Sequence, residues 1–238
     1  MVTCSTDIQI CSHCRHKNKV HRLDSYSEEG KGNLDGRRNS LVEFPMASFV
    51  EECTHCGYTA HSIKDEHPEV EDVITSIEYL RVITTSPENE NGMLMLKAAL
   101  FSLAAKKRNE AGKFFHWAAW AMDDANDHLR AMECRNKAID LLYPKHTHQN
   151  IHNTKKPPDV LVLVDLLRRS RRWREAEEIV SNLFAHNNTI KMDRTIGAIA
   201  QMQFDASREN DRKCYEVEAA LIGYYPVALL MAKYPQIK

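Results

Sequence analysis

Two Cys-x-x-Cys pairs, Cys11/Cys14 and Cys53/Cys56, are the feature that most constrains what this chain can fold into. Together they supply four thiolate sulfurs, the ligand set of a tetrahedral metal site with metal–sulfur distances of about 2.3 Å. Four protein ligands leave no coordination position open for a substrate or a reactive water. The pairs therefore predict a structural zinc site with Cys11, Cys14, Cys53 and Cys56 as its ligands.

The segment between the two pairs is long. It holds 38 residues, whereas compact four-cysteine patterns leave roughly 15 to 20. Residues 19–26 read as a strand leading away from the first pair, and residues 41–51 read as a strand leading into the second. Residues 28–38 between them are charged and turn-forming, which predicts an exposed excursion. The layout is that of a small β zinc ribbon.

The residue after each pair bears on how the backbone curls around a metal. Gly57 follows the second pair, and glycine readily takes the positive φ that aims amide N–H groups at thiolate sulfur. Arg15 follows the first pair. It is expected either to take the same conformation under mild strain or to offset the negative charge of four thiolates around a divalent ion.

Other interpretations of the cysteines stay open at this stage. The pairs suit a redox dithiol, a disulfide or unrelated buried thiols, and the same ligand set holds iron in rubredoxin-like electron carriers. Two complete pairs already fill a tetrahedron. Five nearby residues are therefore predicted to be neighbours of the site and not ligands, namely Cys4, His13, His16, His55 and His61.

The length of 238 residues indicates one medium domain with a small attached module, because a chain of this length can bury a sizeable core. The first residues lack a basic stretch followed by an apolar run, and the longest uncharged stretch, 219–232, is shorter than the roughly 20 residues of a membrane span. We expect a cytoplasmic protein without a membrane partner. Cys134 and Cys214 stand alone in helical patterns and are predicted to be small core fillers, which fits a reducing compartment.

Charge balance bears on nucleic-acid binding. The chain carries a net charge of −1, and residues 1–61 hold seven Lys or Arg against eight Asp or Glu. Proteins that bind nucleic acid through a ribbon present a basic surface to the phosphates. This ribbon is not basic overall, although Arg37 and Arg38 form a local basic patch.

Periodicity changes from strand-like to helical near residues 64–67, which predicts a zinc-ribbon domain over 1–63 and a helical domain over 68–238. Pro68 and the acids after it are typical of a helix start. One helix is predicted from Pro68 through Leu80, and another after Pro87. Further helices are predicted over 111–122, 126–142, 159–169, 173–185, 193–207 and 211–233. Short turns between them favour an all-α array of antiparallel helical hairpins.

Residues 163–176 form the clearest repeat-like stretch. Apolar residues on a first helix meet an aromatic and, three residues later, an alanine on a second helix. Trp173 and Ala176 occupy those two positions. The stretch resembles the centre of a tetratricopeptide repeat, without its glycine and without a sustained period of 34 residues.

With both halves in view, the chain resembles a bacterial and archaeal group of uncharacterised proteins that join an N-terminal four-cysteine zinc ribbon to a tetratricopeptide-like helical domain. The resemblance rests on residues 11–14, on residues 44–58 with the second pair, and on the helical tail. It implies metal binding and this fold, and it implies no particular activity.

Five arginines crowd residues 168–174, and this density favours either a solvated helix–helix turn or a grip on phosphate or an acidic peptide. They are Arg168, Arg169, Arg171, Arg172 and Arg174. The histidines at 146, 148 and 152 lack a fourth donor for a metal site. An aromatic stripe that includes Phe114, Phe115, Trp117, Trp120 and Tyr143 is expected to be core.

The sequence carries no catalytic motif, neither a phosphate-cradling glycine loop nor His-Glu-x-x-His. The expected function is that of a zinc-binding interaction or adaptor protein, in which the helical array binds a protein or peptide. One alternative is a nucleic-acid-binding protein that uses Arg37, Arg38 and the arginines of 168–174. The other is a rubredoxin-like electron carrier.

Overall fold

The computed structural model describes residues 3–25, 27, 30–38, 46–67, 69–85, 89–144, 157–185 and 194–223. The chain divides into two compact units. The first comprises residues 1–27 and 40–142, and the second comprises residues 28–39 and 143–238. The coarse prediction of a small β region followed by helices is confirmed.

This division differs from the predicted domains 1–63 and 68–238. We call the β region around the two cysteine pairs, residues 3–25 and 46–63, the ribbon. Its cysteines share a core with helical residues up to Phe101, so this region and the first helices form one unit. A small ribbon cannot bury much apolar surface by itself, and packing against helices supplies the missing core. The chain passes from the first unit into the second for residues 28–39 and then returns.

The described residues of the ribbon form two small antiparallel sheets. Strands β1 (Thr3–Ile10) and β2 (Lys17–Ser25) pair as a hairpin around the first cysteine pair. Strands β3 (Glu51–Glu52) and β4 (Thr59–Ala60) flank the second pair. The strand predicted over 19–26 is thus confirmed as β2 over residues 19–25, and residue 26 lies outside the described ranges.

The strand predicted over 41–51 is corrected. Residues 41–45 lie outside the described ranges, Met46–Phe49 form a 3-10 turn, and only Glu51–Glu52 are extended. The side chains of Met46 and Val50 are buried with those of α3 and α4 below, so their burial and not a sheet explains the apolar pattern that suggested a strand.

The prediction that residues 28–38 form an exposed excursion is also wrong for its central part. Leu34 and Asp35 are 4% and 2% exposed in the second unit. Leu34 donates its backbone N–H to the carbonyl of Tyr215 at 2.9 Å, and Asn33 forms an antiparallel bridge with Glu216. Turn-forming composition predicted the irregular backbone here, but not its partner.

Eight helices with given bounds follow one another along the described part of the chain, five in the first unit and three in the second. The first unit contains α1 (Val70–Ile74), α2 (Ile77–Thr85), α3 (Glu90–Ala104), α4 (Arg108–Asp124) and α5 (His128–Leu142). The second contains α6 (Pro157–Arg169), α7 (Trp173–Ala185) and α8 (Arg194–Arg208). These bounds agree closely with most of the predicted helices.

Two predicted helices are corrected. The helix expected from Pro68 through Leu80 is broken at Thr75 and Ser76, where both hydroxyls bond to backbone carbonyls of the preceding turn. Competition of this kind by Ser and Thr hydroxyls ends helices. In the region predicted as helix over 211–233, residues 211–215 are not helical, 217–223 are, and the rest lies outside the described ranges.

The same turn joins three successive helix pairs. Three residues separate α3 from α4, α4 from α5, and α6 from α7. The middle residue of each turn, Lys106, Asn126 or Arg171, has φ near 60°. The next residue donates its N–H to the carbonyl five positions back, as in a helix-ending Schellman motif. Non-glycine residues in this conformation explain why no glycine marked these turns.

The apolar faces of these helices form the cores. Phe114, Phe115 and Trp120 of α4 are buried, as predicted for the aromatic stripe, together with Tyr143, whereas Trp117 is half-buried. Cys134 is buried and confirms the prediction of a core filler. Cys214 is exposed, so that prediction is wrong for it. It lies in the non-helical stretch before residue 217, where no helix face could bury it.

No helix in the described ranges is both long enough and apolar enough to cross a bilayer.

Candidate metal centre

The four sulfurs of Cys11, Cys14, Cys53 and Cys56 lie within 4.8 Å of one another. The Cys11 and Cys56 sulfurs are 3.8 Å apart, and the Cys14 and Cys53 sulfurs are 3.5 Å apart. The edge of a tetrahedron with metal–sulfur bonds of 2.3 Å is about 3.8 Å, whereas a disulfide brings its sulfurs to about 2 Å. The cysteines are free, and together they can hold a metal ion.

The two Cys-x-x-Cys turns, which we call knuckles, have the same backbone geometry. Cys11 donates its N–H to the carbonyl of His16, and Cys53 donates to Tyr58, at 2.9 and 2.8 Å. Arg15 and Gly57 both have positive φ, of 63° and 78°. Each donates its N–H back to the carbonyl of the first cysteine of its pair. The prediction for Gly57 is confirmed, and Arg15 takes the strained alternative, with its side chain exposed.

Asn18 was not identified from the sequence, yet it joins the two knuckles. It is 2% exposed, and its amide nitrogen lies 3.4 Å from the Cys53 sulfur. Its amide oxygen accepts hydrogen bonds from the N–H and the hydroxyl of Thr54, at 2.9 and 3.0 Å. A donor to a ligand sulfur orients the ligand and tunes its basicity. An asparagine inside a strand gives no linear signal for such a role.

The environments of the cysteines differ. Burial disfavours the thiolate of Cys53, but donors from the backbone of Cys56 and His55 and from the Asn18 side chain outweigh it and lower the pKa of Cys53 to about 6. Burial raises the pKa of both Cys11 and Cys56. Neighbouring thiols resist ionising together because their thiolate charges repel one another. A bound cation offsets this repulsion as the ligands lose their protons.

The cluster lies inside the core that the ribbon shares with α1, α2 and α3. Cys11 and Cys53 are fully buried and pack with Tyr58, Tyr79 and Phe101. Burial raises the pKa of Tyr58 and of Tyr79 to about 12, so both phenols are neutral donors. The Tyr58 hydroxyl donates to the carbonyl of Asp65, and the Tyr79 hydroxyl donates to that of Gly57.

Ion pairs attach the strand before the second pair to its surroundings. The Glu51 carboxylate accepts from Arg22 of β2 and from the backbone N–H of Ile63, both at 3.0 Å. The Glu52 carboxylate lies 2.5 Å from the ammonium of Lys97 on α3. The ribbon is therefore held against the helices by polar contacts as well as by a common core.

None of the five predicted non-ligands belongs to the four-sulfur cluster. His13 lies 3.5 Å from the carboxylate of Glu71, His16 and His55 stack on each other, and His61 hydrogen-bonds the carbonyl of Phe49. Cys4 is exposed on β1. A half-buried histidine that sequence reasoning missed, His67, contacts the Phe101 carbonyl with Nε2 and accepts from the Glu69 N–H with Nδ1.

Gly57→Ala is expected to destabilise the first unit by about 2 kcal/mol or more. The backbone of residue 57 has φ of 78°, and a Cβ added there would overlap the Tyr79 hydroxyl oxygen. Left-handed backbone costs a non-glycine residue roughly 1 to 2 kcal/mol, and the overlap adds packing strain. Urea unfolding of the metal-loaded chain measures the change.

Gly197→Ala is the matched control, because Gly197 lies within α8 and a Cβ there meets no atom within 4 Å. It is expected to raise stability by up to about 1 kcal/mol. Equal loss of stability in both variants would show that residue 57 needs neither the conformation nor the space of glycine.

The arginines of 168–174 do not form a solvated cluster. Arg168 and Arg169 are 0% and 7% exposed. Arg168 pairs with Asp165, and Arg169 pairs with Asp35, both at 2.7 Å. Arg172 pairs with Glu175 at 2.6 Å, while Arg171 and Arg174 are exposed.

The other two arginines predicted to contact nucleic acid lie between the cysteine pairs, where Arg38 is exposed and Arg37 is half-buried. Predicted histidines 146, 148 and 152 lie outside the described ranges.

Comparison with known proteins gives no relative from which a function could be inferred. No protein-family model, curated protein or solved structure matches the chain.

Proposed function

We propose that this chain is a zinc-stabilised interaction protein, in which the metal holds the ribbon and the helical hairpins bind a protein or peptide. The observation that carries the first part is the cluster of four cysteine sulfurs within 4.8 Å of one another, two pairs of which are 3.8 and 3.5 Å apart, packed into a core. A complete thiolate set suits a structural ion and offers no position for a substrate. Zn²⁺ would add charge neutralisation and covalent-like cross-linking of the two knuckles.

Iron in the same ligand set is the competing assignment, since four thiolates hold either metal and iron would supply one-electron chemistry. Elemental analysis and a visible absorption spectrum of protein purified without added metal distinguish the two. One zinc per chain and no visible colour are expected. Iron with visible absorption would replace the structural proposal by electron transfer.

The helical part of the proposal rests on the repeated three-residue turns and on a groove in the first unit. We infer that the hairpins are tetratricopeptide-like, in keeping with the resemblance of the chain to ribbon proteins with such domains. The groove has a volume of about 290 Å³ and lies among α2, α3, α4 and α5. Apolar Leu96, Leu100 and Phe115 line it together with Cys134. A volume near the lower end of ligand pockets suits one or two side chains of a peptide.

The rim of this groove is charged. Glu78 and Arg81 come from α2, and Glu133 and Lys137 from α5. Among the residues that the structure describes, neither Arg81 nor Lys137 forms an ion pair, and the Lys137 ammonium stands 5.0 Å from the centre of the Phe115 ring. An apolar floor with a polar rim is the usual anatomy of a protein-binding surface.

Affinity capture with variants of the rim tests this role. The metal-loaded chain is compared with the double variant Arg81→Glu/Lys137→Glu, and captured proteins are identified by quantitative mass spectrometry. A partner of the groove is expected to be depleted at least about tenfold by the double charge reversal, because like charges at the rim of an interface lower affinity.

Lys113→Glu is the matched control, since Lys113 is exposed on α4 outside the groove. It is expected to retain the same partner. Proteins captured equally by all three chains, or by none of them, would overturn the assignment of a peptide-binding groove to this face.

A further inference from the structure

Strand β1 is an exposed edge strand. Within the part of the chain that the structure describes, its sheet holds β1 and β2, and β1 presents Ile8 and Ile10 to solvent with 62% and 46% of their surface exposed. Of its eight residues, only Gln9 is buried. Long apolar edge strands pair readily with another strand, and proteins usually protect them with charge, proline or a covering element. β1 has one charged residue, Asp7, and no proline.

The hydrogen-bonding direction along β1 follows from the hairpin register. Cys11 donates its N–H to the His16 carbonyl, so residues 11 and 16 are a hydrogen-bonded pair that continues the β1–β2 register. Hydrogen-bonded and non-hydrogen-bonded pairs alternate in an antiparallel ladder. Thr6, Ile8 and Ile10 therefore direct their N–H and C=O groups away from β2. Among the described residues, none donates to or accepts from these groups besides the hairpin itself.

The outer face of the hairpin contains no acidic residue. Register pairs alternate between faces, and the pairs opposite the buried side are Cys4 with Leu23, Thr6 with His21, Ile8 with Lys19, and Ile10 with Lys17. Asp7 and Asp24 fall on the other face. The outer face of β1 is thus uncharged, and the two lysines lie one strand further from the free edge.

We propose that the free edge of β1 pairs with β1 of a second copy of this chain, antiparallel, with Ile8 of one copy opposite Ile8 of the other. Ile8 would then exchange two backbone hydrogen bonds with its counterpart, and Thr6 and Ile10 would do so with each other in both directions. About six hydrogen bonds form. On the outer face, the two Ile8 side chains meet at the two-fold axis, with Ile10 beside Thr6.

Charge placement favours this register and this occupant. It sets Asp7 opposite position 9, an uncharged glutamine, and not opposite Asp7 of the other copy. The lysine rows of the two β2 strands are three strand spacings apart, about 14 Å, which exceeds the Debye length of about 8 Å at physiological salt. A neutral seam with screened flanks suits a strand identical to β1.

The size of the seam sets the expected affinity. Interfaces carry about one hydrogen bond per 100 to 200 Å², so about six bonds correspond to roughly 600 to 1,200 Å². This area lies at the lower end for specific interfaces. The dimer is therefore weak, and it dissociates on dilution.

Sedimentation equilibrium of the metal-loaded chain from about 1 to about 300 µM tests the proposal. The average mass is expected to rise from that of one chain, 27.4 kDa, toward twice that value. Ile8→Lys places two like charges at the axis and is expected to weaken association at least about tenfold. Lys19→Gln, directly opposite Ile8 on β2, is the matched control and is expected to leave the dissociation constant within about twofold.

Ile8→Pro is a second variant, which replaces the side chain and removes the outward N–H of residue 8 without removing a donor to β2, a change that an edge strand tolerates. Retained metal in each variant shows that the hairpin is intact. Loss of the dimer in both Ile8 variants but not in Lys19→Gln supports the proposal. A monomer at every concentration, or a dimer that both Ile8 variants leave unchanged, overturns it, and the edge of β1 would then be open only to a different strand.

Discussion

Cys53→Ser is expected to abolish metal binding and to unfold the ribbon together with the core it shares with α1 to α3. A serine hydroxyl does not replace a thiolate ligand, and Cys53 is fully buried beside Asn18 and the other three sulfurs. Structural zinc contributes on the order of 10 kcal/mol of apparent binding free energy at pH 7, comparable with the whole stability of a domain, about 5 to 15 kcal/mol. Metal content falls to near zero, and far-UV circular dichroism reports the lost structure.

Cys134→Ser is the control for this result. Cys134 is also buried, in the core of α3 to α5, and is distant in sequence from both pairs. Its hydroxyl costs about 1 to 3 kcal/mol of stability when buried without a full set of hydrogen bonds, but the metal content stays at one per chain. Equal metal content in Cys53→Ser and Cys134→Ser would remove the assignment of Cys53 as a ligand.

Arg168→Ala is expected to destabilise the second unit by about 3 to 5 kcal/mol, the cost of breaking a buried ion pair by removing one partner. Arg168 and Asp165 are both fully buried, with the guanidinium 2.7 Å from the carboxylate. The same guanidinium donates to the backbone carbonyls of Asp211 and Lys213 at 2.6 and 2.7 Å. Its loss leaves a buried carboxylate and two carbonyls without their donor. Urea unfolding followed by the signal of the second unit measures the change.

Arg171→Ala is the matched control three residues further on. Arg171 is exposed, so its removal is expected to change stability by less than about 1 kcal/mol. The double variant Asp165→Leu/Arg168→Met is expected to recover only part of the loss: an apolar pair avoids the desolvation of two charges, but the carbonyls of Asp211 and Lys213 stay without their donor. An Arg168→Ala variant as stable as Arg171→Ala would show that the pair does not hold this region.

The buried ion pairs also give the segment between the two cysteine pairs a structural role. Asp35 pairs with Arg169 in the second unit, and its carboxylate also accepts the backbone N–H of Arg37 at 3.1 Å. The part of the chain that separates the two ribbon knuckles is thus a component of the helical unit that follows residue 142. The charged, turn-rich composition of this segment predicts a surface excursion, because composition carries no information on which distant residues neutralise its charges.

The arginine run illustrates the same limit for function. Five arginines in seven residues favoured a phosphate grip or a solvated turn when considered alone. Arg168 and Arg169 instead form buried ion pairs with carboxylates that lie three residues and 134 residues away in the chain. The exposed Arg171 and Arg174 leave a much smaller basic surface than the sequence indicated, which weakens the support for nucleic-acid binding at this turn.

The sequence by itself determined most helices of this protein and the four cysteines whose sulfurs lie together and could hold a metal ion. Cys-x-x-Cys spacing is local, since it sets two sulfurs on one knuckle whatever surrounds them, and helical periodicity and capping are read within a few residues. Gly57 was identifiable for the same reason, because a positive φ is a property of one residue.

Only the tertiary structure decided how these parts combine. It placed Asn18 on the Cys53 sulfur, buried Leu34 and Asp35, and united the ribbon with α1 to α3 in one core. Each of these outcomes depends on contacts between residues far apart in the chain. Burial and charge pairing are set by such contacts, and no short stretch of sequence specifies which distant partner will satisfy a polar or apolar group.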